Sequence, residues 1–291
     1  MSEPISTIRL DDRAVIAVTG PEAASFLHTL VSANIEALGE GEATHALLLT
    51  PQGKILFDFF VVRHGENLLI DIDRASAEAF RKRLQIYKLR AQVTIAARDD
   101  LAVVALPEGG RGEEGIVVAF SDPRLAAMGV RAVVASGSAP APSDEAFRAY
   151  EQRRIAAGLA AFGRDYQSGE VVPHDVNADQ FSTIDFRKGC YIGQEIVSRM
   201  KHRNTARKRL VQVRPASGSG KLPPPGTPVK ADFREIGVLG SSLEDAGLAI
   251  LRLDWAKHAR DTGIAVTADG HALEVTLPAY AGFGWPEETA G

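Results

Sequence analysis

The sequence is poor in cysteine, and Cys190 is the only thiol among its 291 residues. A lone thiol excludes an internal disulfide, and it excludes a metal site built from several cysteines of one chain. The lack of disulfides fits a reducing compartment. The thiol can still act as a nucleophile, or it can share a ligand with a partner molecule.

Long apolar runs and an excess of positive charge are also absent. No segment approaches the ~18 uninterrupted apolar residues of a membrane-spanning helix, so we expect no membrane partner. The formal net charge is -4, so the chain as a whole does not attract nucleic acid or anionic lipid. The first residues, MSEPISTIRLDDRAV, lack a basic start before an apolar stretch and carry three acidic residues. They argue against a secretory signal and a mitochondrial transit peptide, and they predict a cytoplasmic protein.

Short apolar runs separated by glycine and proline dominate the first half of the chain and favour strands. They lie at residues 13–19, 45–49, 55–63, 67–72, 91–97, 101–106, 115–120 and 130–135. Helical spacing of apolar residues predicts helices after Gly20-Pro21 and over 75–88. A third helix is predicted over about 144–157, with Ser143 as its N-cap and Gly158 at its C-terminal end. Strands, a helix and strands again indicate an α+β fold rather than a regular alternation of strand and helix.

The segment after residue 205 has a different character. Its apolar runs are short and separated by turn residues, and they lie at 209–214, 227–231, 236–242, 247–253, 263–267 and 272–277. Such a succession of short strands is typical of a small β-barrel or β-sandwich. We therefore expect a separate C-terminal β domain.

The only cysteine lies in the octamer KGCYIGQE, between Gly189 and Gly193. Glycine permits tight turns and close approach of the backbone to a ligand. Because the residues that follow read as a short helix over about 192–201, Cys190 should lie on a turn just before a helix N-terminus, where anions are favoured. Together with the basic side chains of Arg187 and Lys188 just upstream, this position would favour the thiolate form. The alternative is a buried and inert cysteine.

The octamer resembles the signature of the YgfZ branch of the YgfZ/GcvT-like folate-binding family, Lys-Gly-Cys-Tyr-x-Gly-Gln-Glu, at every fixed position. Two further segments extend the resemblance over most of the chain. TPQGKILFDFF is similar to a family strand that carries a polar residue facing the folate, and there Asp58 matches the aspartate of the aminomethyltransferase branch. In residues 153–179, Arg154, Gly158 and Pro173 match a second block of the family.

The resemblance implies a three-domain ring, or cloverleaf, around a central folate channel, with a C-terminal β-barrel. One domain would combine residues 1–46 with 141–205, a second would be inserted at 47–140, and the barrel would occupy 206–291. The implied cofactor is tetrahydrofolate or a one-carbon derivative of it. The implied function is that of a folate-binding accessory protein for assembly or repair of iron–sulfur clusters, with iron–sulfur proteins or assembly factors as partners.

The resemblance also assigns roles to residues. Cys190 would be the reactive group, and the cofactor would contact Asp58, Arg154 and Tyr191. The supporting residues of the motif are Lys188, Gly189, Tyr191, Gly193, Gln194 and Glu195. Gln194 and Glu195 would cap the first helical turn or contact a ligand. Asp58 has a second interpretation, in which it lies on the solvated face of its strand.

Two alternatives to this function remain. Aminomethyltransferases carry Asp-Phe-Ile-Gly-Arg-Glu-like residues in place of the octamer, yet a folate-dependent one-carbon transferase of that kind is the second hypothesis. The third is a hydrolase in which His174 or His202 activates Cys190. The remaining candidates for metal ligands, His28, His45 and His64, lack the required spacing, so no metal is expected.

One stretch is rich in positive charge. No acidic residue lies between Ile196 and Ala231, and its first part carries His202 and six basic residues, Arg199, Lys201, Arg203, Arg207, Lys208 and Arg209. The stretch is either a solvated surface or a rim for an anion, such as the glutamate tail of a folate, a phosphate or an acidic partner. The absence of interleaved aromatic residues and of a recognised motif argues against nucleic acid as a partner.

Overall fold

The computed structural model describes residues 7–106, 110, 115–203, 206–218 and 220–286. The chain divides into two compact units. The first consists of residues 1–150 and 181–194, and the second consists of residues 151–180 and 195–291. In the part of the chain that is described, no helix is both long enough and apolar enough to cross a membrane.

Two antiparallel sheets build the first unit, one with five strands and one with four. In chain order the elements are β1 (Ile8–Arg9), β2 (Arg13–Thr19), α1 (Ala23–Leu30), β3 (Ala43–Leu49), β4 (Ile55–His64), β5 (Asn67–Asp73), α2 (Ala77–Lys88), β6 (Thr94–Ala97), β7 (Leu101–Leu106), β8 (Ile116–Ser121), β9 (Val130–Ala135) and α3 (Asp144–Ala156). The strand orders are β3-β4-β5-β2-β6 and β1-β7-β9-β8. The last residues of α3 belong to the second unit.

The two faces of the five-stranded sheet differ in polarity. Side chains alternate between faces along a strand, and on one face Phe59 packs with Leu27 of α1 and Phe80 of α2 in the main apolar core. The opposite face carries buried polar groups, among them His45 and Asp58. This second face, buried but polar, is where the candidate site begins.

A closed β-barrel forms the main part of the second unit, with strand order β10-β13-β12-β11-β14-β15. The elements of this part of the chain are α4 (Gln194–Arg203), β10 (Lys208–Pro215), β11 (Pro228–Ala231), β12 (Arg234–Leu243), β13 (Ala246–Arg252), α5 (Leu253–Thr262), β14 (Val266–Ala268) and β15 (His271–Thr276). The barrel encloses an apolar core that includes Val211, Leu239 and Leu251. Because the sheet closes on itself, this segment is a β-barrel and not a β-sandwich, which was the other fold expected from the sequence.

The mixed α and β architecture and the C-terminal barrel confirm the predicted fold class. Three local predictions were wrong. Residues 91–93 form a turn before β6, the two-residue strand β1 was missed, and helix α5 was not foreseen. Helix α5 buries Leu253, Ala256 and Ala259 at helical spacing, but the run was read as the end of a strand because its apolar residues continue those of β13. The three-domain division stays a prediction.

Candidate functional site

The predicted motif lies in the loop from Asp185 to Gly193, which we call the signature loop and which ends where α4 begins. Asp185 shapes its first turn, because its Oδ1 accepts hydrogen bonds from the backbone N–H of Arg187 at 2.8 Å and of Lys188 at 3.2 Å. Cys190 is exposed. The expectation of a buried cysteine at this position is therefore wrong, and the reactivity of the thiol stays a prediction.

Lys188 anchors the signature loop to the end of α1. Its Nζ donates hydrogen bonds to the carbonyl oxygens of His28, Val31 and Ala33, at 2.5, 2.7 and 2.8 Å. A cation is favoured at the C-terminal end of a helix, where carbonyl groups lack partners within the helix. Burial lowers the pKa of Lys188 to about 8, against the opposing charges of two nearby carboxylates. The ammonium group thus serves these carbonyl groups rather than the neighbouring thiol.

The two glycines of the motif differ in what they require. Gly193 has φ of 82°, and a Cβ added there would lie 2.5 Å from the carbonyl oxygen of Thr50 and 3.0 Å from Cβ of Leu49. At Gly189 an added Cβ would meet no atom within 4 Å. The expected close approach of backbone therefore occurs at Gly193, against the turn that joins β3 to β4, and not at Gly189.

Tyr191 contributes a buried phenol to the loop. Its hydroxyl has no hydrogen-bond partner within the described part of the chain, and its residue is only 7% exposed. Burial raises the pKa of Tyr191 to about 12, so the hydroxyl stays neutral at physiological pH and can both donate and accept. A buried hydroxyl without a partner costs about 1–3 kcal/mol, which a bound ligand or water would offset.

Asp58 lies in β4 and is buried, at 7% exposure. The interpretation that places it on a solvated strand face is therefore wrong. Its Oδ1 lies 2.7 Å from Nε2 of His45, and Nδ1 of the same ring lies 2.9 Å from Oγ1 of Thr183. Sequence analysis missed His45 as the partner of Asp58, and Thr183 as the second partner of the His45 ring. The period of two along β3 and β4 puts His45 and Asp58 on one face, but their contact depends on strand pairing.

Buried ion pairs surround this polar face. Asp71 accepts hydrogen bonds from the guanidinium groups of Arg13 and Arg131. Burial alone would raise the pKa of Asp71, but the two arginines outweigh it and hold the pKa below its ordinary value. The ring of Phe60 lies under three guanidinium groups, with centroid distances of 5.9 Å to Arg13, 4.7 Å to Arg124 and 4.5 Å to Arg131. These contacts connect β2, β4, β5 and β9 and keep the face rigid.

Arg154 belongs to the second unit and is almost fully buried. Its Nε and Nη2 donate to the carboxylate of Glu151, Nη1 donates to Asp165 and to the carbonyl oxygen of Leu159, and Nη2 also donates to Ser241. A guanidinium group has five N–H donors, and these contacts use all of them. Arg154 thus joins α3 to the barrel, and its contact with folate stays a prediction.

The second unit also holds the remaining sequence candidates. His174 is buried, and its two ring nitrogens have no hydrogen-bond partner in the described residues. Burial lowers its pKa. His202 and Lys208 are exposed, whereas Arg209 is buried and forms an ion pair with Asp179. Arg209 is therefore not part of a solvated basic surface.

Glu195 lies in the first turn of α4, where an acidic side chain is favoured, and it is exposed. It forms an ion pair with Arg199 one turn further along the helix. Gln194 begins α4, and its backbone N–H donates to the carbonyl oxygen of Tyr191 at 3.3 Å. Across the described ranges, no group of three or more histidine, cysteine, aspartate or glutamate residues has an arrangement that would hold a metal ion.

Comparison with known proteins identifies relatives of both parts of the chain. Residues 207–283 match the family model described as the C-terminal beta-barrel domain of CAF17. The mitochondrial iron–sulfur cluster assembly factor IBA57 of Mus musculus is 30% identical over 279 residues, which cover 86% of this chain and 78% of that protein. The mitochondrial IBA57 homolog of Pyricularia oryzae is 31% identical over 216 residues, but the match spans only 55% of that longer protein and 69% of this chain.

The fold also matches that of a solved enzyme. The crystal structure of glycine cleavage system aminomethyltransferase T from Bartonella henselae superimposes with a TM-score of 0.71 over 95% of this chain and 86% of the enzyme chain. The two sequences are 16% identical, so this likeness establishes the fold alone.

The expectation of a cytoplasmic protein is wrong, because the relatives in mouse and Pyricularia oryzae are named mitochondrial proteins. That expectation rested on the acidic residues among the first positions, which do not decide the compartment. The match to the mouse protein extends over most of both chains, and the barrel and the remainder of the fold agree with it. The chain therefore belongs to the family of the iron–sulfur cluster assembly factor IBA57.

Proposed function

We propose that this chain binds tetrahydrofolate, or a one-carbon derivative of it, and supports the assembly or repair of iron–sulfur clusters in other proteins. The observation that carries the proposal is the signature loop, which exposes Cys190 beside the buried hydroxyl of Tyr191, and this hydroxyl has no hydrogen-bond partner among the described residues. The names of the relatives support the role in cluster assembly. The fold shared with an aminomethyltransferase supports a folate-related ligand.

Asp58 and Tyr191 are the proposed contacts of the folate in the first unit. A buried carboxylate is a strong acceptor for the ring and amino N–H groups of a pterin. The neutral hydroxyl of Tyr191 supplies a donor or an acceptor that no other residue in the described part of the chain uses. Both groups are held by buried surroundings, which reduces the entropy that a ligand must overcome on binding.

Cys190 is the proposed reactive or transiently ligating group. One thiol cannot hold an iron–sulfur cluster by itself, since clusters are bound by several ligands. Any contact between Cys190 and a cluster therefore needs a partner protein or a second copy of the chain. The proposed partners are iron–sulfur proteins or assembly factors. The resemblance of the octamer to the YgfZ signature supports the proposal that the chain belongs to the YgfZ branch of folate-binding proteins.

Titration calorimetry with tetrahydrofolate tests the ligand. Wild-type protein should bind, and Tyr191→Phe should weaken binding about 5- to 20-fold, because one hydrogen bond of roughly 1–2 kcal/mol is lost. Tyr87→Phe is the matched control, since Tyr87 packs against the apolar core of the same unit and should leave the affinity unchanged. Absence of binding by the wild-type protein would contradict the folate assignment.

Complementation tests the thiol. In cells that lack this protein and have lost the activity of an iron–sulfur enzyme, the wild-type chain should restore that activity and Cys190→Ala should not. Gly189→Ala changes the adjacent residue where space is open, and it should restore activity. Full rescue by Cys190→Ala would show that the thiol is not used.

A folate-dependent one-carbon transferase is the second candidate, favoured by the extent of the structural match to the aminomethyltransferase. It predicts turnover of a one-carbon folate with an amine or thiol acceptor, and loss of that turnover in Asp58→Asn. If tetrahydrofolate binds but no product forms with any acceptor, the transferase hypothesis is rejected and the accessory role is retained.

A further inference from the structure

A continuous set of hydrogen bonds leads from Asp58 to the signature loop. It begins with the hydrogen bond between Asp58 and His45, at 2.7 Å, and the hydrogen bond between His45 and Thr183, at 2.9 Å. All three side chains are buried, with exposures of 7%, 5% and 1%. Because a carboxylate only accepts hydrogen bonds, Nε2 of His45 is the donor in the bond to Asp58. In the tautomer that carries its proton on Nε2, Nδ1 accepts from the hydroxyl of Thr183.

The same connection continues through Ser32 into the loop. The hydroxyl of Ser32 donates to the backbone carbonyl of Thr183 at 2.6 Å and accepts from the backbone N–H of Leu47 at 3.0 Å. The carbonyl of Ser32 accepts from the backbone N–H of Asp185 at 3.0 Å. Asp185 in turn shapes the turn that leads to Cys190. Ser32 thus holds the backbone of both Thr183 and Asp185, and Thr183 also contacts the ring of His45.

This arrangement makes the loop sensitive to Asp58. If the charge on Asp58 is shared with a ligand donor or removed, the hydrogen bond from His45 to Asp58 weakens and the ring of His45 can change its tilt. If the ring of His45 moves, the hydroxyl of Thr183 loses its partner. Because the side chain of Thr183 is buried, water cannot replace that partner unless the structure around Thr183 also changes. A buried polar network of this kind responds as a unit when one member changes.

We propose that His45 and Thr183 are positioning residues that connect the carboxylate of Asp58 to the loop presenting Cys190, so that the state of Asp58 sets the accessibility of the thiol. Asp58 and Cys190 act here as one site, although 132 positions separate them in the sequence. The inference rests on the proposed function only in its choice of these two residues as the site. The connection itself is a property of the ligand-free chain.

A double-mutant cycle on thiol labelling tests the connection. Cys190 is the only cysteine, so the rate of its alkylation by iodoacetamide reports on the loop without interference. We expect Asp58→Asn to change this rate by at least about threefold, within the range of measured couplings between interacting residues. In a Thr183→Val background the same replacement should change the rate by less than about 1.5-fold, because the link is already broken.

Thr44→Val is the matched control background. Thr44 is a buried threonine next to His45, and its hydroxyl bonds to the carbonyl oxygen of that residue rather than to the ring. The effect of Asp58→Asn on labelling should persist there at full size. An equal effect of Asp58→Asn in the wild-type and Thr183→Val backgrounds would overturn the proposal, and so would no effect in the wild type.

A second measurement needs no variant. Nitrogen NMR of the His45 ring in wild-type protein should report a proton on Nε2 and a hydrogen-bonded, unprotonated Nδ1. A proton on Nδ1 alone would overturn the proposed direction of the link. Calorimetry with tetrahydrofolate on the same wild-type samples tests the proposed function separately. Absence of binding would refute the folate ligand, whereas the labelling cycle and the NMR of the ring test only the connection between Asp58 and the signature loop.

Discussion

Gly193→Ala should destabilise the first unit strongly. The residue has φ of 82°, a conformation that costs a residue with a Cβ about 1 kcal/mol relative to glycine. The added Cβ would also lie 2.5 Å from the carbonyl oxygen of Thr50 and 3.1 Å from Cα of Gly53. Both are backbone atoms, so the turn after β3 or the signature loop must move.

The magnitude follows from these two costs. Displacement of packed backbone by an inserted methyl group costs about 1–3 kcal/mol. Together with the backbone conformation, the expected loss in the free energy of unfolding is about 2–4 kcal/mol. At Gly189 the same methyl group meets open space, so Gly189→Ala should change stability by less than about 0.5 kcal/mol.

Urea unfolding followed by circular dichroism measures both variants against the wild type. The midpoint should fall for Gly193→Ala at an unchanged slope, and alkylation of Cys190 should accelerate because the loop loses its contact with the turn. A difference of less than about 0.5 kcal/mol between the two variants would refute the reasoning. It would mean that the loop does not pack against the turn at residues 50–53.

Three other predictions concern charged groups. Because burial lowers the pKa of Lys188 to about 8 from its ordinary 10.5, the unfolded state binds more protons between these values. The free energy of unfolding should therefore rise with pH from about 8 to 10.5, by about 1–3 kcal/mol after allowance for partial exposure, and urea titrations of Lys188→Met should lack this rise. Asp71→Asn leaves Arg13 and Arg131 buried without a carboxylate and should cost about 3–5 kcal/mol in the same urea assay; a loss below about 1 kcal/mol would contradict the ion pairs. Arg154→Lys retains the charge but not the fork of donors, so it should cost about 1–3 kcal/mol. Fluorescence of the chain's two tryptophans, which both lie in the second unit, measures that loss, and an unchanged midpoint would show that the contacts of Arg154 are dispensable.

Local patterns account well for the elements of this fold. The short apolar run ILFDFFVVR between turn residues predicted β4, and helical spacing around Phe80 and Leu84 predicted α2. Helix α5 was missed since its apolar residues follow β13 without a turn residue between them. The sequence pattern did not predict that the barrel closes, because closure depends on the pairing of β10 with β15, the first and last strands of the domain.

The sequence by itself determined the position of the loop that carries Cys190, the family resemblance and the elements on either side, since these depend on neighbouring residues. Tertiary structure alone decided what the side chains do. Lys188 binds the end of α1. Asp58 contacts the ring of His45 instead of solvent, and the other side of that ring contacts Thr183. The physical reason is distance along the chain: hydrogen bonds between residues 138 or 160 positions apart arise from sheet pairing and packing, which no local period encodes.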